Sequence, residues 1–300
     1  MSDSVIRFDR LTHWYGARRA LHELTLAVPR GSITALLGRN GAGKSSAIRC
    51  LLGFQEPTSG SSSILGADSA ALPAEMRGRI GYVSEGQRLV PWMKVREIVA
   101  FQRATFPAFD AALCDSYLRR LGLPAESRVK HLSNGQRAQV ALALALSPRP
   151  EVVVLDDPAL GLDAVVRREF LDVMIELIQE EGRTLLFSSH ILTDVERVAD
   201  RVAILAEGVL RVDAPLDVVK RRIRRVRAFF EGDAPPVRGI AGLVRGVARR
   251  NEWVLTVATE TGPVETAVRA MGARAVECEG LGLEDLFIEY TSGAKEEVTR

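Results

Sequence analysis

The segment Gly38-Arg-Asn-Gly-Ala-Gly-Lys-Ser45 limits what this chain can fold into more than any other stretch. It fits the pattern GxxxxGK[ST], and its setting fits as well. The run Ser32–Leu37 reads as a strand entering the loop, and Ser45 to Leu52 reads as a helix leaving it. The glycines let the backbone turn until its N–H groups face inward, where phosphate oxygens bind. The following helix adds the positive end of its dipole. Gly38, Asn40, Gly41, Ala42, Gly43, Lys44, Ser45 and Ser46 are thus the expected nucleotide contacts. Among them, Lys44 neutralises the β- and γ-phosphates and Ser45 holds Mg²⁺. Such a loop requires an α/β fold in which buried parallel strands alternate with helices.

The rest of the N-terminal part agrees. Arg79–Ser84, Glu151–Leu155 and Arg183–Ser188 read as further buried strands, and Arg201–Asp213 as a hairpin turning near Glu207-Gly208. Between residues 91 and 146 the pattern changes to helical spacing, with Leu113, Tyr117, Leu118 and Leu121 on one face, which marks an inserted helical subdomain. Two domains are expected. The first covers residues 1–215 and the second, a small α+β domain, residues 221–300. In the second, 224–230 and 253–258 read as strands, and 263–271 and 283–290 as helices. The last residues, SGAKEEVTR, read as a frayed tail.

Val152-Val-Val-Leu-Asp156 is an apolar strand ending in a carboxylate, suited to reach Mg²⁺ through water. Asp157 follows and can orient an attacking water as a base. Alone, this pair also reads as a helix cap. Leu132-Ser-Asn-Gly-Gln136 reads locally as a helix start capped by Ser133. It also resembles the LSGGQ signature of ABC ATPases, with Asn134 where Gly is usual.

That resemblance covers residues 1 to about 215. It implies that Ser133, Asn134, Gly135 and Gln136 complete the ATP site of a partner subunit, pressing a helix N-terminus onto the γ-phosphate. It implies that Tyr15, in HWYGARRAL, stacks on adenine, with surface or core packing as the alternative. Asp163, in LGLD, resembles the D-loop aspartate that links two sites across a dimer, and His190, in LLFSSHIL, the switch histidine at the γ-phosphate. Two positions depart from the pattern. Glu85 stands where a Q-loop glutamine is usual, with Gln87 two residues on. Either can fill that role, Glu85 as a Mg²⁺ ligand. Asp157 stands where a catalytic glutamate is usual.

The region Glu85–Val95, the segment FPAFD and the ending GLEDLFIEY resemble ATPases serving bacterial ABC-2 type exporters. The expected function is ATP-driven dimer closure, as a homodimer or with a paralogue, energising a separate transmembrane permease, in the export direction. A soluble ABC ATPase uncoupled from transport and a slow, switch-like ATP-binding module are the alternatives. A small-molecule kinase leaves LSNGQ unexplained.

Composition narrows the setting. Three scattered cysteines, Cys50, Cys114 and Cys278, form no disulfide framework or zinc spacing and fit a reducing cytosol. No apolar run reaches the roughly 20 residues that cross a bilayer, and the start MSDSVIRFDR is not a signal peptide. The expected location is the cytoplasmic face of the membrane. A net charge of +2 gives no argument for nucleic acid. The run KRRIRRVR, Lys220 to Arg227, reads as a solvated linker or as a contact for anionic headgroups or an acidic partner.

Overall fold

The structure is a computed structural model, and it describes residues 3–179 and 182–291. The SGAKEEVTR tail lies outside the described residues. The chain divides into two compact units, Met1–Asp213 and Ala214–Arg300.

The first unit runs β1 (Ser4–Tyr15), β2 (Arg18–Pro29), β3 (Ile33–Leu37), α1 (Lys44–Leu51), β4 (Ser59–Ile64), β5 (Ala67–Asp68), α2 (Ala74–Arg77) and β6 (Ile80–Val83). It continues through α3 (Val95–Thr105), α4 (Ala111–Arg120), α5 (Asn134–Leu146), β7 (Val152–Leu155), α6 (Ala164–Gln179), β8 (Thr184–Ser189), α7 (Leu192–Val198), β9 (Arg201–Ala206) and β10 (Val209–Pro215). Every residue of β3, β7 and β8 is buried, as expected for central strands covered on both faces. They belong to a six-stranded sheet in the order β10-β9-β3-β8-β7-β6. The pairings β9-β3, β3-β8, β8-β7 and β7-β6 are parallel.

A second sheet, β2-β1-β4-β5, is antiparallel. One core joins the two sheets. Ile6, Leu11, Leu21 and Leu24 meet Ile48 and Leu51 of α1 and Val154, Leu186 and Ala203 of the larger sheet. Ile48 and Leu51 are fully buried, and each such side chain contributes roughly 1.5–3 kcal/mol. Burial on this scale fixes α1, and so fixes the loop that precedes it. Helices α3, α4 and α5 occupy the stretch between β6 and β7. Gly81 lets α5 close on β6, since a Cβ there would sit 2.7 Å from the Ala145 carbonyl oxygen.

The second unit contains α8 (Leu216–Arg222), β11 (Ile223–Phe229), β12 (Leu243–Arg249), β13 (Glu252–Ala258), α9 (Thr261–Ala270), β14 (Ala275–Gly280) and α10 (Leu283–Thr291). Its antiparallel sheet has the order β12-β13-β11-β14. Val226, Ala228, Trp253, Leu255 and Val257 pack on Val264 and Val268 of α9. The KRRIRRVR run is therefore not a linker. It ends α8 and begins β11, and strand alternation sends Val226 into the core. Arg225 pairs with Glu279 and Asp285, and Arg227 with Glu252. Arg221 also pairs with Asp217, so part of the run's charge is engaged within the unit.

Candidate functional site

Loops from the carboxyl ends of adjacent parallel strands meet at one place, where α/β sheets bind ligands. From β3 comes the glycine-rich loop. Gly41 has φ +81° and Gly43, which precedes α1, φ +106°, conformations that cost side-chain-bearing residues energy. Gly38 and Ala42 shape the loop from within rather than line its cavity. A Cβ on Gly38 would lie 2.7 Å from the Leu205 carbonyl oxygen, and the Ala42 N–H donates to the Arg39 carbonyl. Lys44 is buried, and its Nζ donates to the carbonyls of Gly38 and Arg39 at 2.7 and 3.3 Å. Burial lowers its pKa from the ordinary lysine value, while Asp157, Asp156 and Glu85 pull it partly back.

From β7 come Asp156 and Asp157, both buried. The Ser45 hydroxyl donates to Asp156 Oδ1 at 3.1 Å. Ser188, at the end of β8 and fully buried, donates to the same oxygen at 2.7 Å and accepts from the Asp157 N–H at 2.8 Å. Asp157 has φ +44°, so this bond holds an uncommon backbone conformation. Its carboxylate Oδ2 lies 2.7 Å from His190 Nδ1. The two aspartates are thus fixed by different partners, Asp156 by hydroxyls and Asp157 by an imidazole.

A cavity of about 440 Å³ opens over these groups, lined by Tyr15, Asn40, Gly41, Gly43, Lys44, Ser45, Ser46, Glu85, Asp156 and Asp157, and also by Arg18, Ala20 and Arg49. Tyr15, part of that lining, is 42% exposed. The Tyr15 hydroxyl donates to Gln55 Oε1 at 2.5 Å and lies 3.4 Å from Ser46 Oγ, and His13 packs edge-on against the ring with centroids 4.7 Å apart. Glu85 lines this cavity and Gln87 does not. Gln87 is buried elsewhere, its Nε2 donating to the Pro158 carbonyl at 2.8 Å.

Ser133, Asn134, Gly135, Gln136 and Asp163 do not line the cavity either. Ser133 and Gln136 form a reciprocal capping box at the start of α5. Asn134 Nδ2 donates to the Gly161 carbonyl at 3.2 Å, and Asp163 caps α6 through the N–H groups of Val165 and Val166. The LSNGQ and LGLD segments are thereby tied to each other.

Sequence reasoning missed Arg18, Arg49 and Ser188. Arg18 had a signal, lying three residues after Tyr15. Ser188 had none, because its role depends on β8 pairing with β7.

Comparison with known proteins shows what the arrangement belongs to. The ABC transporter family profile matches residues 21–160. The bacitracin transport ATP-binding protein BcrA of Bacillus licheniformis is 33% identical over 77% of this chain and 76% of its own. The chain belongs to the ABC transporter ATP-binding family. As an ABC ATPase it binds and hydrolyses ATP to energise an ABC transporter. A sulfate/thiosulfate import ATP-binding protein of Mycobacterium tuberculosis is 35% identical, covering 94% of this chain and 82% of that one. A Nod factor export ATP-binding protein of Paraburkholderia xenovorans is 29% identical, covering 97% and 98%. A solved ATP-binding subunit of an ABC transporter superposes with a TM-score of 0.65 at 30% identity, covering 73% of this ABC ATPase and 92% of that chain. No helix among the described residues is long and apolar enough to cross a membrane.

Proposed function

We propose that the cavity holds Mg·ATP with adenine on Tyr15 and the triphosphate along Gly41 to Ser46, and that two chains close around two nucleotides to drive a separate permease. The observation carrying this reading is the convergence of Lys44, the Ser45–Asp156 bond and Asp157 on one cavity, with His190 behind the lining and reaching it through its 2.7 Å contact with Asp157. Lys44 meets the β- and γ-phosphates as the main cation. Asp157 orients the attacking water and accepts its proton, and His190 steadies Asp157 and faces the γ-phosphate.

The donor set suits Mg²⁺. Ser45, Asp156 and Glu85 offer hard oxygens, and the described residues contain no cluster of three or more His, Cys, Asp or Glu able to cage a metal. Mg²⁺ is commonly held by one or two carboxylates together with nucleotide phosphates. Bound there, it would neutralise charge developing on the transferred phosphoryl group. Glu85, rather than Gln87, is the Q-loop group in this proposal, because only Glu85 lines the cavity.

The dimer is supported by what the cavity lacks. Ser133 presents the capped start of α5 but lies outside the cavity of its own chain, an arrangement that fits a second copy or a paralogue bringing the equivalent segment to each ATP. The permease proposal draws on cbiO1 of Clostridium perfringens, part of the cbiONQ transporter complex and 26% identical with a TM-score of 0.62. Recruitment by a permease would place the chain at the cytoplasmic membrane face. Export is the direction proposed because the Nod factor export relative is matched over 98% of its own length, against 82% for the sulfate/thiosulfate import relative, which is the more identical of the two at 35% against 29%.

The test is ATP turnover by the purified chain with Mg²⁺ and with a chelator, alongside Lys44→Ala. Mg²⁺-dependent turnover that Lys44→Ala abolishes is expected. Equal turnover in both proteins would refute the site.

A further inference from the structure

Arg18 is a cation to which the proposed nucleotide site assigns no task. It opens β2 directly after the Gly16 turn and pairs across the hairpin with Tyr15. Its side chain lines the cavity beside Tyr15 and Gly41. A guanidinium nitrogen lies 3.1 Å from where a Cβ on Gly41 would sit, so the group rests on the mouth of the phosphate loop. No hydrogen bond or ion pair engages it among the described residues, although Glu85, Asp156 and Asp157 line the same cavity. The next residue, Arg19, is turned the other way, over the Trp14 ring at 5.7 Å.

The order of groups along the cavity indicates what Arg18 meets. Tyr15 marks the base end. Lys44, Ser45 and Asp156 mark the end where the β- and γ-phosphates and the metal sit. Arg18 pairs with Tyr15 across the hairpin while its guanidinium reaches Gly41 of the phosphate loop, so it links the base side to the loop, where the first phosphate after the ribose would pass. We infer that Arg18 is a further nucleotide-binding residue that clamps the α-phosphate of ATP. The inference rests on the proposed placement of ATP in this cavity.

Chemistry supports the assignment. A planar guanidinium can give two parallel N–H bonds to one phosphate, which an ammonium cannot. Gly41 matters for the same reason, since a side chain there would stand between the guanidinium and the loop. Three carboxylates, Glu85, Asp156 and Asp157, line the same cavity, so a second cation besides Lys44 also offsets their repulsion of an entering triphosphate. Arg18 is exposed, so its contribution is screened by salt.

The experiment is calorimetric titration of the full chain with ATP and with ADP, at low and high salt, for wild type, Arg18→Ala, Arg18→Lys and Lys44→Ala. Circular dichroism checks that each variant is folded. Arg18→Ala should weaken ATP and ADP by the same factor, about tenfold at low salt, and less at high salt. Arg18→Lys should recover part of the loss. A loss confined to ATP would put the guanidinium on the γ-phosphate and overturn the assignment. Unchanged affinities in Arg18→Ala would overturn it altogether. A wild-type chain that binds neither nucleotide, or a Lys44→Ala variant that binds both normally, refutes the site itself rather than the role of Arg18.

Discussion

His190 Nδ1 lies 2.7 Å from Asp157 Oδ2, so the two residues form one unit at the ends of β8 and β7. An aspartate is one methylene shorter than glutamate, which sets its carboxylate back by roughly 1.5 Å. Misplacement by about 1 Å can cost on the order of 100-fold in rate. Slow but real turnover is therefore expected. Asp157→Asn keeps the volume and removes the base. It should abolish nearly all turnover and trap an ATP-bound dimer, visible as an ATP-dependent doubling of mass in size-exclusion chromatography. Asp157→Glu should keep activity or raise it. Wild-type turnover in Asp157→Asn would exclude it as the catalytic carboxylate and point to Glu85.

Lys44 gives a pH signature. Burial lowers its folded pKa below the ordinary lysine value of 10.5. In the window between the folded and unfolded values the unfolded chain binds more protons, so stability rises with pH there. Lys44→Met lacks this linkage. The melting temperature of wild type relative to Lys44→Met, measured without nucleotide, should therefore climb as pH rises toward 10.5. A flat difference would mean that Lys44 is not desolvated.

The signature segment can be tested by mixing. Ser133→Arg should leave ATP binding by the single chain largely intact and block hydrolysis. Combined with Lys44→Ala, it should restore up to one working site per mixed dimer, built from Lys44 of one chain and Ser133 of the other. No recovered turnover in mixed dimers shown to have formed would contradict a shared site.

Glu85 and Gln87 should separate cleanly. Gln87→Leu leaves the buried Pro158 carbonyl without its donor, which costs roughly 1–3 kcal/mol in stability. ATP affinity of the folded fraction should change little. Glu85→Gln should barely alter stability and should tighten ATP binding several-fold without Mg²⁺, since a carboxylate facing the phosphates is removed. Denaturant melts and nucleotide titrations of both variants check this. The reverse pattern would place Gln87 in the site.

The parallel sheet was legible because β3, β7 and β8 are buried on both faces and read as unbroken apolar runs before their loops. The sheet formed by β1, β2, β4 and β5 was not. Arg10 and Glu23 have φ values of +43° and +47°, and the β1–β2 register shifts between Phe8 and Leu11. These irregularities shift the phase of alternation, so Leu21, Leu24 and Leu26 do not keep a strict period of two. Strands β12 and β14 escaped notice because they are edge strands with few buried residues. Within the site, local motifs named Lys44, Ser45 and Asp156. The choice between Glu85 and Gln87, and the part played by Ser188, depended on which loops the sheet brings together.

The start of α5 separates two adjacent positions by what surrounds them. Asn134 reaches outward to the Gly161 carbonyl. A Cβ on Gly135 would lie 2.3 Å from Cγ1 of Val166, a stiff β-branched side chain held in α6. An exchange at 134 therefore gives up the bond that ties LSNGQ to LGLD without meeting a steric wall, while any side chain at 135 first requires Val166 of α6 to give way.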